Sequence, residues 1–472
     1  MMRVRHFGNT ANNAYLNAKL LLEFEGIESD LPIEMFGLAH AISAPAWETL
    51  EFDVPSEPWV HHPDWSLIPG AVELNSEYTD LALPSSGDDT PVRFIPKNAI
   101  MSAARAVLGP LHGRRWAQPI FDLSYRWVLS RTVSPPQVEG RIDVLYGADS
   151  LIKMKMPRTA SQFVCVEHGT VRSIYDGPRE ISVFRRAYRD QVRRSRHLWV
   201  TNLDPRTLEI AEEVAPGRWS AFPHPYLPDP RTPFEGSPEH REELLRTTDS
   251  ASVVLLPSSQ NWSKHHDKGS MKALQAFVEL RKSGRDVGLV AIEWGLQVEE
   301  SKAFLKKAGV SANVVWVRPM ARVSLQRMMA DVDVVWDQFG LEAFGGLAIR
   351  TMEQGAPMIS RGLAPVGEHL LGGPVPWRHA ATAEDVARET GALLDEIAER
   401  GRDRVLGEYR ARARAWFLET HSPRITARLQ REVYSGIVDG TWEPGMAAPD
   451  RWAQLVREGI PTGPETGRGD SR

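Results

Sequence analysis

A carboxylate and a pair of glycines that could bind one ligand together lie between Asp331 and Arg361. Glu342 precedes Gly345 and Gly346, and the two glycines are placed to open a helix. Unpaired amides at the start of a helix attract anions, and glycine lets the backbone approach a ligand closely. A carboxylate just before such a helix suits a ligand that carries hydroxyl groups beside a phosphate. A sugar nucleotide has this shape.

The elements that would position these residues are a strand, a loop and a helix in succession. Val332 to Trp336 is a short apolar run, and Gly355 followed by Pro357 ends the helix that opens at the glycine pair. An apolar strand followed directly by a helix predicts a parallel sheet covered on both faces. Strand, loop and helix alternate in much of the remaining chain, which predicts an α/β protein.

The segment EAFGGLAIRTMEQGAPMI, residues 342–359, resembles a known signature. This is the E-G-F-G-L-x-x-L-E-A-M-A-x-G-x-P-V-I motif of retaining glycosyltransferases of the GT-B fold, specifically the large family 4. The residues that match it are Glu342, Phe344, Gly345, Met352, Gly355 and Pro357. The resemblance implies two doubly wound Rossmann-like domains that face each other across a cleft. It also implies that Glu342 holds sugar hydroxyls and that the amides at Gly345 and Gly346 bind the donor.

Arg350 stands where the family carries the second acid of its E-x7-E pair. In the family that acid typically holds the nucleotide ribose, and an arginine cannot accept hydroxyl protons. We therefore consider four roles for Arg350: binding phosphate in the donor site, pairing with Glu353 or Asp337, marking a different donor, or marking lost activity. A helix-surface arginine without a role in binding is the alternative.

Lys268-Gly269, which opens another predicted helix, resembles the family's K-G pair, whose lysine binds the donor diphosphate. The family usually has an arginine earlier in this loop, but none occurs between Ser252 and Gly269. Gln260 or Lys264 could substitute for it. The cluster from Lys264 to Asp267 also resembles a set of metal ligands, but Lys264 and the adjacent Lys268 disfavour a cation.

Further candidates follow other predicted strands. By the resemblance, Gly8 and Asn9, after the strand Arg3 to Phe7, approach the donor diphosphate; a tight turn with asparagine caps is an equal alternative. His168 follows the strand Phe163 to Val166, at a strand end where α/β sheets bind ligands. The resemblance implies that it contacts the donor sugar or its phosphate; the alternative is a histidine satisfied by neighbouring backbone. Arg318 follows the strand Asn313 to Val317 and is a donor-side candidate.

A proline-dense stretch, residues 223–240, predicts the domain boundary. We expect an acceptor-side Rossmann-like domain over residues 1–235 and a donor-nucleotide-binding domain over 236–425. Residues 426–472 are predicted to form a helix that returns to the first domain and, from about Asp439, a frayed tail. Residues 42–95, rich in proline, tryptophan and acids, are predicted to form an insertion or lid.

The charge, the cysteine count and the apolar runs of the chain argue against several classes of protein and site. The chain has 472 residues and a net charge of -5, which argues against nucleic acid as its main partner. Its single cysteine, Cys165, permits no intramolecular disulfide or thiolate metal cage. The N-terminus lacks the apolar core of a signal peptide, and no run approaches the roughly 18 apolar residues that span a bilayer. We expect a cytoplasmic protein that could touch the membrane from the inside.

Two other patterns have a functional and an ordinary interpretation. A basic helix face, which could contact anionic lipids, is interpreted as a solvated surface. The residues of this face are Arg185, Arg189, Arg193 and Arg196. His61, His62 and Asp64 could bind a metal, but in a tryptophan-rich loop they are interpreted as surface. No metal or other cofactor is expected.

The sequence thus predicts a glycosyltransferase that moves a sugar, with retention, from a nucleoside diphosphate sugar to an acceptor hydroxyl. The acceptor would be a saccharide, a lipid-linked or a small molecule, in polysaccharide, glycolipid or glycoconjugate biosynthesis. A sugar-nucleotide epimerase, a phosphorylase and a non-catalytic sugar-nucleotide-binding protein are the alternatives.

Overall fold

The computed structural model describes residues 2–8, 12–30, 140–147, 156, 162–169, 171–177, 182–229, 231–262, 267–443 and 445–459. Within them the chain forms two parallel sheets of six strands each, flanked by helices. This confirms the predicted α/β architecture with two doubly wound halves. The predictions for Asn9, for residues 42–95 and for the side chains of residues 264–266 lie outside the described residues.

The first sheet has the strand order β2-β1-β3-β4-β5-β6, and all neighbouring strands are parallel. Its strands are β1 (Arg3–Phe7), β2 (Ser29–Asp30), β3 (Arg141–Tyr146), β4 (Phe163–Glu167), β5 (His197–Val200) and β6 (Trp219–Ala221). Every residue of β4 and β5 is buried, as expected for strands that are covered on both faces.

The helices of the first half are α1 (Asn13–Glu25), α2 (Val171–Tyr175), α3 (Ser182–Arg194) and α4 (Pro205–Val214). α1 ends at Gly26, whose φ of 65° fits glycine and whose N–H bonds the carbonyls of Leu21 and Leu22. Gly26 thus ends α1 in the left-handed conformation that glycine favours. α4 begins after Asp204, whose carboxylate accepts a hydrogen bond from the Thr207 N–H.

The second sheet has the order β12-β11-β10-β7-β8-β9, again all parallel. Its strands are β7 (Ser252–Leu256), β8 (Val287–Ile292), β9 (Val314–Val317), β10 (Val334–Trp336), β11 (Met358–Ser360) and β12 (Arg378–His379). The accompanying helices are α5 (Pro238–Thr247), α6 (Ser270–Lys282), α7 (Val298–Lys307), α8 (Arg322–Asp331), α9 (Gly346–Gln354), α10 (Pro365–Leu371) and α11 (Ala383–Arg400). The chain reverses its direction across the sheet between β7 and β10, where α/β proteins bind ligands.

Three more helices complete the described chain: α12 (Arg402–Thr420), α13 (Pro423–Val438) and α14 (Arg451–Glu458). α13 packs on α1 of the first half, and Gln430 donates from its side-chain amide to Asn17 at 3.2 Å. Asn17 in turn donates to the Tyr146 hydroxyl at 3.0 Å. The chain thus returns to the first sheet after completing the second. The domain boundaries drawn from the sequence stay predictions.

The C-terminal segment differs from the frayed tail that the sequence predicts from Asp439. α14 contacts β6, α10 and α13, and Trp452 and Leu455 are fully buried. The Trp452 indole donates to the Thr420 carbonyl at 2.7 Å. These contacts order the segment because a few large apolar residues outweigh its many prolines, glycines and charges.

The loops at the carboxyl ends of the two sheets meet. A β-carbon placed on Gly367 of α10 would lie 3.0 Å from the carbonyl oxygen of Leu203, which follows β5. One hydrophobic cluster contains residues of the first sheet together with Phe344 and Ile349 of the second half. The ligand-binding edges of both sheets are therefore held close to each other.

Arginines of the basic face of α3 make more hydrogen bonds within the protein than the sequence suggests. Arg185 donates to the carbonyls of Ile174 and Tyr175, and Arg196 donates to that of Trp442. These arginines satisfy backbone acceptors, whereas Arg193 is exposed as expected. Among the described helices, none combines the length and the apolar character needed to cross a bilayer.

Candidate functional site

Lys268 lies at the point where the second sheet reverses, just before α6. Its carbonyl accepts hydrogen bonds from the N–H groups of Phe339 (2.7 Å) and Gly340 (3.1 Å), which follow β10. A β-carbon on Gly269 would lie 2.6 Å from the Gly340 nitrogen, so only glycine fits between these loops. The two loops are thus locked together, while the Lys268 side chain is exposed to solvent.

Asp337, the first residue after β10, is a buried acid beside Lys268. Its side chain is buried, and one carboxylate oxygen, Oδ2, has no hydrogen-bond partner among the described residues. Burial raises the pKa of Asp337 to about 6, although the ammonium of Lys268 acts in the opposite direction. Sequence analysis considered Asp337 only as a partner for Arg350. An acid directly after an apolar strand was the signal that could have identified it.

Glu342 forms an ion pair with Arg361, the residue that follows β11. The Arg361 Nη2 lies 3.1 Å from the Glu342 Oε1, and the two side chains are 29% and 41% exposed. Arg361 is also fixed through its backbone, because its N–H donates to the Gln338 carbonyl at 3.0 Å. Sequence analysis did not identify Arg361. Its position directly after a strand at this edge was the available signal.

The N-terminus of α9 is open at Gly345 and Gly346. No side chain caps it, and its first turn carries no acid that would repel an anion. A β-carbon on either glycine would meet no atom within 4 Å. Free amides and the positive end of the helix dipole therefore face open space next to Glu342, which suits an anionic group.

His168, after β4, is held in one tautomer. The Thr201 hydroxyl donates to the Glu167 carbonyl at 3.1 Å and lies 3.0 Å from the His168 Nδ1. Because that hydroxyl proton is already used, Thr201 accepts from Nδ1–H, and the lone pair is left on Nε2. Burial lowers the pKa of His168 to about 3, so the ring is neutral. The backbone-satisfied alternative does not account for Nε2, which lacks a partner among the described residues.

Two further histidines link His168 to the second half. The His224 ring lies 6.2 Å from that of His168. Burial lowers the pKa of His168 and of His421, and the proximity of His224 lowers both further. The His421 ring lies 5.6 Å from Phe344, which is two residues from Glu342. Neither histidine is predictable from the sequence, because their proximity depends on the packing of distant segments.

Arg350 lies in the middle of α9 and is partly buried near Tyr226. Glu353, one turn further on, accepts hydrogen bonds from the Asp229 N–H (2.8 Å) and the Thr232 hydroxyl (2.9 Å). The Tyr226 hydroxyl and the Gln326 side chain also donate to it. The hydrogen-bonding capacity of the Glu353 carboxylate is therefore used by the segment that joins the two sheets. Glu353 does not replace the acid missing at position 350.

The remaining predicted residues lie at the expected strand ends. Gly8 follows β1 and has a φ of 88°, a conformation that fits a tight turn. Arg318 follows β9 and is exposed. No three of the described His, Cys, Asp and Glu side chains cluster closely enough to hold a metal ion.

A groove of about 550 Å³ lies at the opposite edge of the second sheet, where Ser250 and Asp286 precede β7 and β8. Parallel α/β sheets bind ligands outside the carboxyl ends of their strands. We therefore place the site at Lys268, Glu342 and α9 and not in this groove.

The chain resembles known glycosyltransferases in part of its sequence and in its fold. No family model matches the chain. The 2-deoxystreptamine glucosyltransferase of Streptomyces kanamyceticus is 27% identical over 175 residues, which are 37% of this chain and 43% of that enzyme. The match thus spans less than half the length of this relative.

Solved structures resemble the chain over almost its full length. A glycosyltransferase from Rickettsia africae has a TM-score of 0.51 at 12% identity and covers 93% of this chain and 98% of its own. Anabaena HepE in complex with UDP and glucose has a TM-score of 0.53 at 12% identity and covers 92% and 100%. The chain has the GT-B fold. In this GT-B protein, Lys268, Glu342 and the start of α9 belong to the second sheet, and His168 belongs to the first.

Proposed function

We propose that this GT-B protein is a glycosyltransferase that moves a sugar from a nucleoside diphosphate sugar to an acceptor hydroxyl. One observation supports this most strongly. Lys268, Glu342 and the open N-terminus of α9 lie together where the second sheet reverses. A cation, a carboxylate and free amides match the diphosphate and the hydroxyls of such a donor.

The first chemical requirement is to stabilise the leaving nucleoside diphosphate. Negative charge grows on it as the bond to the sugar breaks, and fixed cationic groups lower the energy of that state. The backbone of Lys268 is fixed by its hydrogen bonds to the loop after β10, and the amides of α9 are held by the helix itself, so both groups start from a defined place. In this proposal Lys268 and the amides of α9 stabilise the leaving nucleoside diphosphate without a resident metal ion.

The second requirement is to hold the donor sugar and the acceptor hydroxyl in place. Glu342 would bind hydroxyls of the donor sugar through charge-assisted hydrogen bonds. The His168 Nε2 lone pair would accept a hydrogen bond from a sugar hydroxyl on the first-sheet side. Closure of the two halves would complete the site. Transfer would retain the anomeric configuration, with a saccharide, lipid-linked or small-molecule acceptor in polysaccharide, glycolipid or glycoconjugate biosynthesis.

A panel of UDP-, GDP-, ADP- and dTDP-sugars tests the proposal, with saccharides and 2-deoxystreptamine as acceptors. We expect release of the nucleoside diphosphate only when an acceptor is present, and NMR of the product should show a retained anomeric configuration. An altered donor without acceptor would indicate an epimerase. Binding without turnover would indicate a non-catalytic protein, a reading favoured by Arg350 in place of the family acid.

Lys268→Ala tests the site itself. Removing a cation that contacts the leaving group should reduce kcat/KM by about 100-fold, at unchanged thermal stability. Lys282→Ala is the matched control, because Lys282 is exposed at the opposite end of the same helix, α6. Equal activity of the two variants would contradict the proposed donor site.

A further inference from the structure

Arg361 lies where it could reach the same ligand as Lys268 and Glu342. The strands β11, β10 and β7 are neighbours in the sheet. Arg361 follows β11, Glu342 is in the loop after β10, and Lys268 is in the loop after β7. Because the carboxyl ends of parallel strands lie at one edge, the three side chains share one side of the second sheet.

The ion pair between Arg361 and Glu342 is weakly held. It consists of a contact of 3.1 Å between Nη2 and Oε1, and both side chains are partly exposed. Exposed pairs of this kind contribute little to stability. The Arg361 Nε is buried and has no hydrogen-bond partner among the described residues. The guanidinium therefore has unused donor capacity next to the open start of α9.

The donor site needs more positive charge than Lys268 supplies. In the described part of the loop between β7 and α6, Lys268 is the one lysine or arginine. A diphosphate carries at least two negative charges, and these increase when the sugar leaves. Guanidinium binds phosphate through two parallel hydrogen bonds, which a lysine cannot do.

We propose that Arg361 binds the donor diphosphate together with Lys268, and that donor binding exchanges its ion pair with Glu342. Arg361 moves from Glu342 to a phosphate oxygen, and the released Glu342 carboxylate turns to the hydroxyls of the donor sugar. This inference rests on the proposed function. Before the donor binds, each charged side chain occupies the place that part of the ligand takes later.

The exchange makes Glu342 a competitor for Arg361 when only the nucleoside diphosphate binds. A ligand without a sugar breaks the ion pair but gives Glu342 nothing in return. Glu342→Gln should therefore strengthen binding of the free nucleoside diphosphate while it weakens transfer. A residue that contributes only to sugar recognition would not have these two opposite effects.

The test is calorimetric titration of the full chain. The wild type is titrated with UDP, GDP, ADP and dTDP, and the variants are then titrated with the nucleoside diphosphate that the wild type binds. Arg361→Gln should weaken binding at least about tenfold, and Arg361→Lys should recover part of it. Glu342→Gln should tighten binding about two- to fivefold. In the Arg361→Gln background, Glu342→Gln should have no effect on affinity.

Arg388→Gln is the control for the loss of one positive charge. Arg388 lies on α11, is 64% exposed and pairs with Asp385, so nucleoside diphosphate affinity should be unchanged. The inference is overturned if the Arg361→Gln variant binds the nucleoside diphosphate as tightly as the wild type but loses transfer activity. That result would mean that Arg361 only holds Glu342 in place. If the wild type binds none of the four, the proposed function fails with it.

Discussion

At the scale of single residues, Asp337 carries an unfavourable charge that the sequence does not reveal. Its pKa in the folded protein, about 6, lies above the ordinary value of 3.8 because the carboxyl is buried. The folded state therefore binds more protons than the unfolded state between these two values. Stability contributed by Asp337 is present below pH 3.8 and is lost as pH rises through about 6.

Asp337→Asn should therefore stabilise the protein at pH 7.5 and have little effect at pH 4. The expected gain in the free energy of unfolding is about 1 to 3 kcal/mol, since the amide avoids ionisation in a buried site. Denaturant unfolding at both pH values measures it. Glu209→Gln, at an exposed site paired with Arg206, should change stability by less than about 0.5 kcal/mol. A loss of stability at pH 7.5 would show that the carboxylate makes a favourable contact.

At the scale of elements, two helix starts use glycine for different reasons. Gly269, before α6, has a φ of 79° and leaves no room for a β-carbon beside Gly340. Gly345, before α9, has an extended backbone and open space where a β-carbon would lie. The first glycine is required by the packing of two loops. The second is not required by any protein contact within the described residues, and under the proposed function the space beside it takes the donor.

Alanine at these two positions should separate folding from binding. Gly345→Ala should alter the free energy of unfolding by less than about 1 kcal/mol but weaken nucleoside diphosphate binding, because the methyl group enters the ligand space. Gly269→Ala should cost at least about 2 kcal/mol in stability through backbone strain and the clash with Gly340. Thermal unfolding and calorimetric titration of both variants measure this. Unchanged binding in Gly345→Ala would place the diphosphate elsewhere.

At the scale of the whole molecule, the sequence predicts the structural features that depend on residues close to each other in the chain. The strand–loop–helix order around Lys268 and Gly345 is local, so both residues could be identified before the structure. The contact between Glu353 and Asp229 joins residues 124 positions apart, and no local pattern reports it. The same holds for the pair of Arg361 with Glu342, since a charged residue after a strand has many available partners.

The C-terminal helix, α14, shows that contacts between distant segments can also decide whether a helix forms. Eight residues in a segment rich in glycine, proline and charge give no reliable helical pattern. The helix exists because α14 fits between elements from both halves, β6 in the first and α10 in the second. Its stability is therefore a property of the assembled molecule.

Trp452→Ala should thus weaken both halves together. Trp452 is fully buried, its indole donates to the Thr420 carbonyl, and its ring contacts His421 at 5.1 Å. Loss of this side chain should lower the free energy of unfolding by about 3 to 5 kcal/mol, as for other buried aromatic residues. Arg457→Ala on the same helix should change it by less than about 0.5 kcal/mol, since that side chain is 54% exposed. Equal stability of the two variants in denaturant unfolding would mean that α14 does not tie the halves together.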